Sequence, residues 1–92
     1  MVMAKEANKI LHGVTDSDLE LIKHLCLPDK VVSQVLATSH VAVRRRISRV
    51  GIKLGVENRT AMIVKALKLD LITIDQLVYR DYGKANLLRT SN

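Results

Sequence analysis

Aromatic residues are nearly absent from this chain. It has no Trp, no Phe and two Tyr, Tyr79 and Tyr82. Any core is therefore aliphatic, built from Leu, Ile, Val, Met and Ala. The same shortage disfavours an RNA-binding surface, which stacks bases on exposed rings. The single cysteine, Cys26, excludes an internal disulfide and fits a reducing compartment. No apolar run approaches the roughly 20 residues of a membrane span. The opening MVMAKEANK lacks the apolar core of a signal peptide. Acidic residues are also short, 9 against 15 Lys and Arg, a net charge of +6. A cationic chain favours a polyanionic partner, although charge alone does not choose a fold. Paired carboxylates, a nucleophile with its base, a glycine-rich phosphate loop and a metal cluster are all missing from the pattern. The expectation is a non-enzymatic, cofactor-free cytoplasmic protein of one small domain, 92 residues long.

What the chain does have is concentrated between Pro28 and Arg59, PDKVVSQVLATSHVAVRRRISRVGIKLGVENR. This stretch predicts a short helix over residues 29–37, a turn at Thr38-Ser39 and a longer helix over residues 40–54. Val43, Ile47, Val50 and Leu54 recur at helical spacing and share one face. At about 100° per residue, Arg44, Arg45 and Ser48 point away from that face, with Arg46, Arg49 and Lys53 on its flank. Ser39 suits the N-cap, and Gly55 suits the left-handed position just beyond the end. Gly51, inside the helix, suggests close packing against a neighbour.

The flanking segments also read as helical. AKEANKILH, residues 4–12, is a short helix or arm ended by Gly13. Thr15-Asp16-Ser17-Asp18 resembles a capping box that opens a helix over residues 16–26, broken before Pro28. Cys26 then reads as a small buried hydrophobe, and His24 with Cys26 is too little for zinc. In the 29–37 helix, Val32, Val35 and Leu36 form the inward face, and Asp29 sits at the favourable N-terminal end. Asn58 caps a helix over residues 59–71 that is apolar on two sides. Thr60, Val64, Leu67 and Leu71 form one side, the domain core. Met62, Ala66 and Leu69 form the other, which meets either a second copy of the chain or the C-terminal segment. Thr73-Ile74-Asp75-Gln76 is a second capping box, predicting a last helix over residues 74–82 that ends at Gly83, followed by a tail in which Leu87 and Leu88 can dock.

Thr15 to Leu67 resembles the LuxR-type (GerE-type) helix-turn-helix domain. The residues that carry the resemblance are Val14-Thr15, Asp18, Leu21-Ile22, Val32-Ser33, Leu36, Ser39, Ala42-Val43 and, most specifically, the run KLGVENRTAMIVKAL. Ala42 stands where the family commonly has threonine, Ser33 where it has alanine, and Arg46 where it has histidine. The resemblance implies an all-α bundle of about four helices with an extra C-terminal helix. The divisions are an arm at 1–13, the helix-turn-helix domain at 14–72 and a C-terminal helix and tail at 73–92. It also implies a free-standing transcriptional regulator of a bacterium or mobile element, associated with the nucleoid when on DNA.

On that reading the 40–54 helix enters the major groove. Arg44, Arg45 and Ser48 read base edges, arginine pairing well with guanine O6 and N7. Arg49 and Lys53 hold phosphates, and Arg46 either holds a phosphate or pairs within the chain. His40 and Val41 touch the backbone or a thymine methyl. Arg59 forms a salt bridge to Asp18 or contacts DNA. The resemblance and the two-sided 59–71 helix both imply a homodimer through Met62, Ala66 and Leu69, on an inverted repeat. The rival reading is a protein-interaction module related to sigma-factor region 4, with RNA polymerase or a co-regulator as partner.

Overall fold

Local signals at the helix ends do much to set the architecture, which we describe from a computed structural model covering residues 4–79. Five α-helices follow one another: α1 (Ala4–His12), α2 (Asp16–Lys23), α3 (Asp29–Val35), α4 (His40–Leu54) and α5 (Arg59–Lys68). Among the described residues all regular structure is helical. The capping box before α2 forms in full. Thr15 Oγ1 accepts from the Asp18 amide at 3.1 Å, and Asp18 Oδ2 accepts from the Thr15 amide at 3.0 Å. Ser39 Oγ accepts from the Ala42 amide at 3.1 Å, and Asn58 Oδ1 from the Ala61 amide at 2.8 Å. Each satisfies one of the amides that a helix start leaves without an intrahelical partner.

Four of the helices stop in the same way. A residue in the left-handed region follows the last turn, and the amide after it reaches back to the carbonyl five residues earlier. Gly13 and Gly55 fill that position after α1 and α4, with φ of 66° and 71°. Ala37 and Asp70 fill it after α3 and α5, with φ of 53° and 58°. The closing bonds are Val14 to Lys9, Thr38 to Ser33, Val56 to Gly51 and Leu71 to Ala66, at 2.8–2.9 Å.

α4 is the centre of the packing, in contact with α2, α3 and α5, while α2 also meets α5. Val43, Val50 and Leu54 on α4 are buried with Leu21 and Ile22 of α2, Val32 of α3 and Met62 of α5. Gly51 lets α4 and α5 approach. A Cβ there would lie 2.8 Å from the Val56 carbonyl oxygen and 2.9 Å from Met62 Cε. α1 contributes no buried residue and is tied on by polar contacts. Asn8 Nδ2 donates to the Leu69 carbonyl at 2.6 Å, and Lys9 pairs with Asp16 at 2.6 Å. That pair raises the Lys9 pKa and lowers that of Asp16.

Several expectations are corrected. α2 ends at Lys23, and the 24–27 turn buries Leu25 and Leu27 while leaving Cys26 exposed. Val35 is exposed, because α3 stops there and turns its last residue outward. Met62 and Ala66 lie in the core, 2% and 0% exposed, whereas Val64 is 44% exposed. Of the side expected to face the core, Thr60 and Val64 are exposed, while Leu67 packs on the core and Leu71 is fully buried; the path of α5 across Gly51 points Met62 inward. Leu69 is half-buried against the core. The Thr73–Gln76 capping box forms, but it opens only a 3-10 turn, Ile74–Gln76. From Leu77 the backbone is extended, and the Val78 amide donates to the Lys23 carbonyl at 2.8 Å. That bond and the packing of Leu77 on the core take the chain out of the expected 74–82 helix. Tyr82, Gly83, Leu87 and Leu88 lie outside the described residues.

Candidate nucleic-acid interface

The α3–turn–α4 unit places one long helix with its apolar side inward and a cationic side outward. Val41, Arg44, Arg45, Ser48, Arg49 and Ile52 line a shallow open groove along α4. All six are exposed, as is His40 at the start of the helix. Among the described residues Arg45 and Arg49 enter no ion pair. Arg44 has one loose partner, Asp29, with Nε 3.8 Å from Oδ2. Arg44, Arg45 and Ser48 therefore stand together on the outward face, as the helical spacing predicts, and Arg49 joins them.

Two of the expected backbone contacts are engaged elsewhere. Lys53 Nζ lies 2.6 Å from Asp18 Oδ2, with both side chains largely out of solvent. Burial pushes the Asp18 carboxyl up. The Lys53 ammonium and the Thr15 amide outweigh it and hold Asp18 below the usual carboxylate range. Arg46 Nη2 donates to the Ser17 carbonyl at 3.0 Å and to Ser17 Oγ at 2.7 Å. Both cations lie on the side of α4 that faces the start of α2, whose first turn supplies these acceptors. Of the two alternatives for Arg46, pairing within the chain is the one observed.

Arg59 also has an internal role, with a different partner from the expected Asp18. Its guanidinium donates to the Asp29 carboxylate, to the Leu27 carbonyl at 2.7 Å and to the Leu25 carbonyl at 3.3 Å. Asp29 thus stands between Arg59 and Arg44. In the sequence Asp29 reads only as a helix-start charge. Comparison with known proteins finds no matching family model, curated protein or solved structure.

Ile52, which is not among the residues expected on the outward face, also lies there. It is nine residues past Val43, which at about 100° per residue is half a turn from the buried side. That angle is the one signal in the sequence that places it there. Ile52 is 81% exposed and Val41 57%. Among the described residues no group of three or more His, Cys, Asp or Glu is placed to hold a metal ion. His24 Nδ1 instead lies 2.7 Å from the Glu20 carbonyl oxygen. No helix among them is long and apolar enough to cross a membrane.

Proposed function

We propose that the chain is a non-enzymatic, sequence-specific binder of double-stranded DNA, a cytoplasmic transcriptional regulator of the LuxR type. The observation that carries this reading is the outward face of α4, where Arg44, Arg45 and Arg49 surround Ser48 and are open to solvent. A helix held on one side and cationic on the other has the size and chemistry of the major groove. Arg44 and Arg45 read guanine edges, Ser48 supports them one turn on, and Arg49 and His40 hold phosphates. The KLGVENR run and the net charge of +6 support the same reading.

The reading includes a homodimer on an inverted repeat, its recognition helices about one DNA turn, near 34 Å, apart. With Met62 and Ala66 in the core, the side of α5 that carries Val64 is the part of that helix open to a second copy.

The test is selection of bound sequences from random duplexes with the full chain alone. The expected result is enrichment of one inverted repeat, with an affinity that falls as salt rises. No enrichment, together with binding to RNA polymerase, would replace this reading with the sigma-factor-like one.

A further inference from the structure

The outward face of α4 has an order that its charges do not explain. Val41 stands at one end and Ile52 at the other, with Arg45 and Ser48 on the line between them. Eleven residues are almost a whole number of helical turns, so Val41 and Ile52 lie nearly one above the other. Both are strongly exposed, and neither belongs to the apolar core. Both are also β-branched, a side-chain type that a solvated helix position does not favour.

In the major groove the only apolar group on a base edge is the 5-methyl of thymine. A valine or isoleucine against phosphate would desolvate charge and gain nothing. The arginines between the two apolar residues provide the charge complementarity that brings this face to DNA. At about 1.5 Å per residue, Val41 and Ile52 stand roughly 16 Å apart along the axis. With base pairs stacked about 3.4 Å apart along the DNA axis, and each step longer along the slanting groove, that is at most about five steps.

Resting on the DNA-binding reading above, we infer that α4 lies lengthwise along the groove and that Val41 and Ile52 each seat a thymine methyl. A half-site then carries two T·A pairs at most about five steps apart. They enclose the guanine-bearing pairs read by Arg44 and Arg45. Ile52 is a specificity-determining residue in this arrangement, and its contact sets the angle of the helix in the groove.

The experiment replaces each thymine of the selected duplex in turn by uracil, which pairs identically and lacks only the methyl. Binding is measured with the wild type, Val41→Ala and Ile52→Ala, all as full chains. Both substitutions are at exposed positions, and circular dichroism checks that the fold is kept. The expected result is two thymines at that spacing, each costing the wild type about fourfold in affinity when its methyl is removed. Val41→Ala becomes indifferent to one replacement and Ile52→Ala to the other. Sensitivity only at the thymine paired with Val41 overturns the inference, because the helix then enters tip first. So does equal sensitivity of Ile52→Ala and the wild type at every position. If a selected duplex binds tightly but tolerates every uracil, the inference fails and the DNA-binding reading stands. If no duplex is selected at all, both fall.

Discussion

Lys53 on α4 and Asp18 on α2 form an ion pair at 2.6 Å that is mostly shielded from water. The carboxylate has a second duty, because the same oxygen accepts the Thr15 amide and closes the capping box. A cation that helical periodicity puts on the flank of α4 is thereby engaged in joining two helices of the bundle.

Lys53→Ala is accordingly expected to act on stability. It leaves a buried carboxylate without its ammonium and should cost about 1–3 kcal/mol in urea unfolding. The slope of log affinity against log salt should stay as in the wild type. A slope flatter by about one unit would mean that Lys53 reaches a phosphate.

The pH dependence follows from Asp18. Its folded pKa lies below the ordinary value of 3.8. The carboxylate's contribution is therefore complete above the unfolded pKa and is lost as pH falls through the folded one. Wild type and Asp18→Asn should differ in melting temperature at neutral pH and converge in acid below 3.8. A difference that persists unchanged to the acid limit would mean that ionisation of Asp18 is not its source.

Gly51→Ala sets helix propensity against packing. Propensity favours alanine by about 1 kcal/mol. The new methyl would lie 2.8 Å from a backbone oxygen, which cannot swing aside. Net destabilisation of about 1–3 kcal/mol is expected on chemical denaturation. A more stable variant would show that the Val56 carbonyl and Met62 give way at little cost.

Arg45→Ala should weaken the selected site by about 1–3 kcal/mol and leave binding to random duplex nearly intact. Equal losses on both, in parallel titrations, would reduce Arg45 to a phosphate contact.

The two sides of α5 can be separated with one charge each. Met62→Glu buries an unpaired carboxylate and should unfold the domain. Val64→Glu should keep the helical spectrum and abolish cooperative binding to the inverted repeat. Unchanged cooperativity in Val64→Glu would place any dimer contact away from this side.

Features encoded over a few residues were legible in the sequence. The caps at Thr15, Ser39 and Asn58, the span of α4 and the glycine after it all depend on near neighbours. So does the outward direction of Arg44, Arg45 and Ser48. What escaped was set by the other helices. α5 is apolar on two sides, and periodicity does not say which one crosses Gly51. The partners of Lys53 and Arg46 lie at the start of α2, which the periodicity of α4 alone does not place beside them. α3 ends before residue 37, and its left-handed residue is Ala37, which lacks the signal a glycine provides. The 74–82 helix was overextended because its start is well formed, while the bond from Val78 to Lys23 comes from 55 positions away along the chain.

The Arg59 guanidinium has a bearing on biosynthesis. Its acceptors, Leu25, Leu27 and Asp29, emerge from the ribosome some thirty residues before it does. Until then water must satisfy those two carbonyls, and the bend between α2 and α3 has no clasp. All of α4 thus precedes in the nascent chain the residue that ties down the bend before α3. Closure of that bend waits on the first residue of α5.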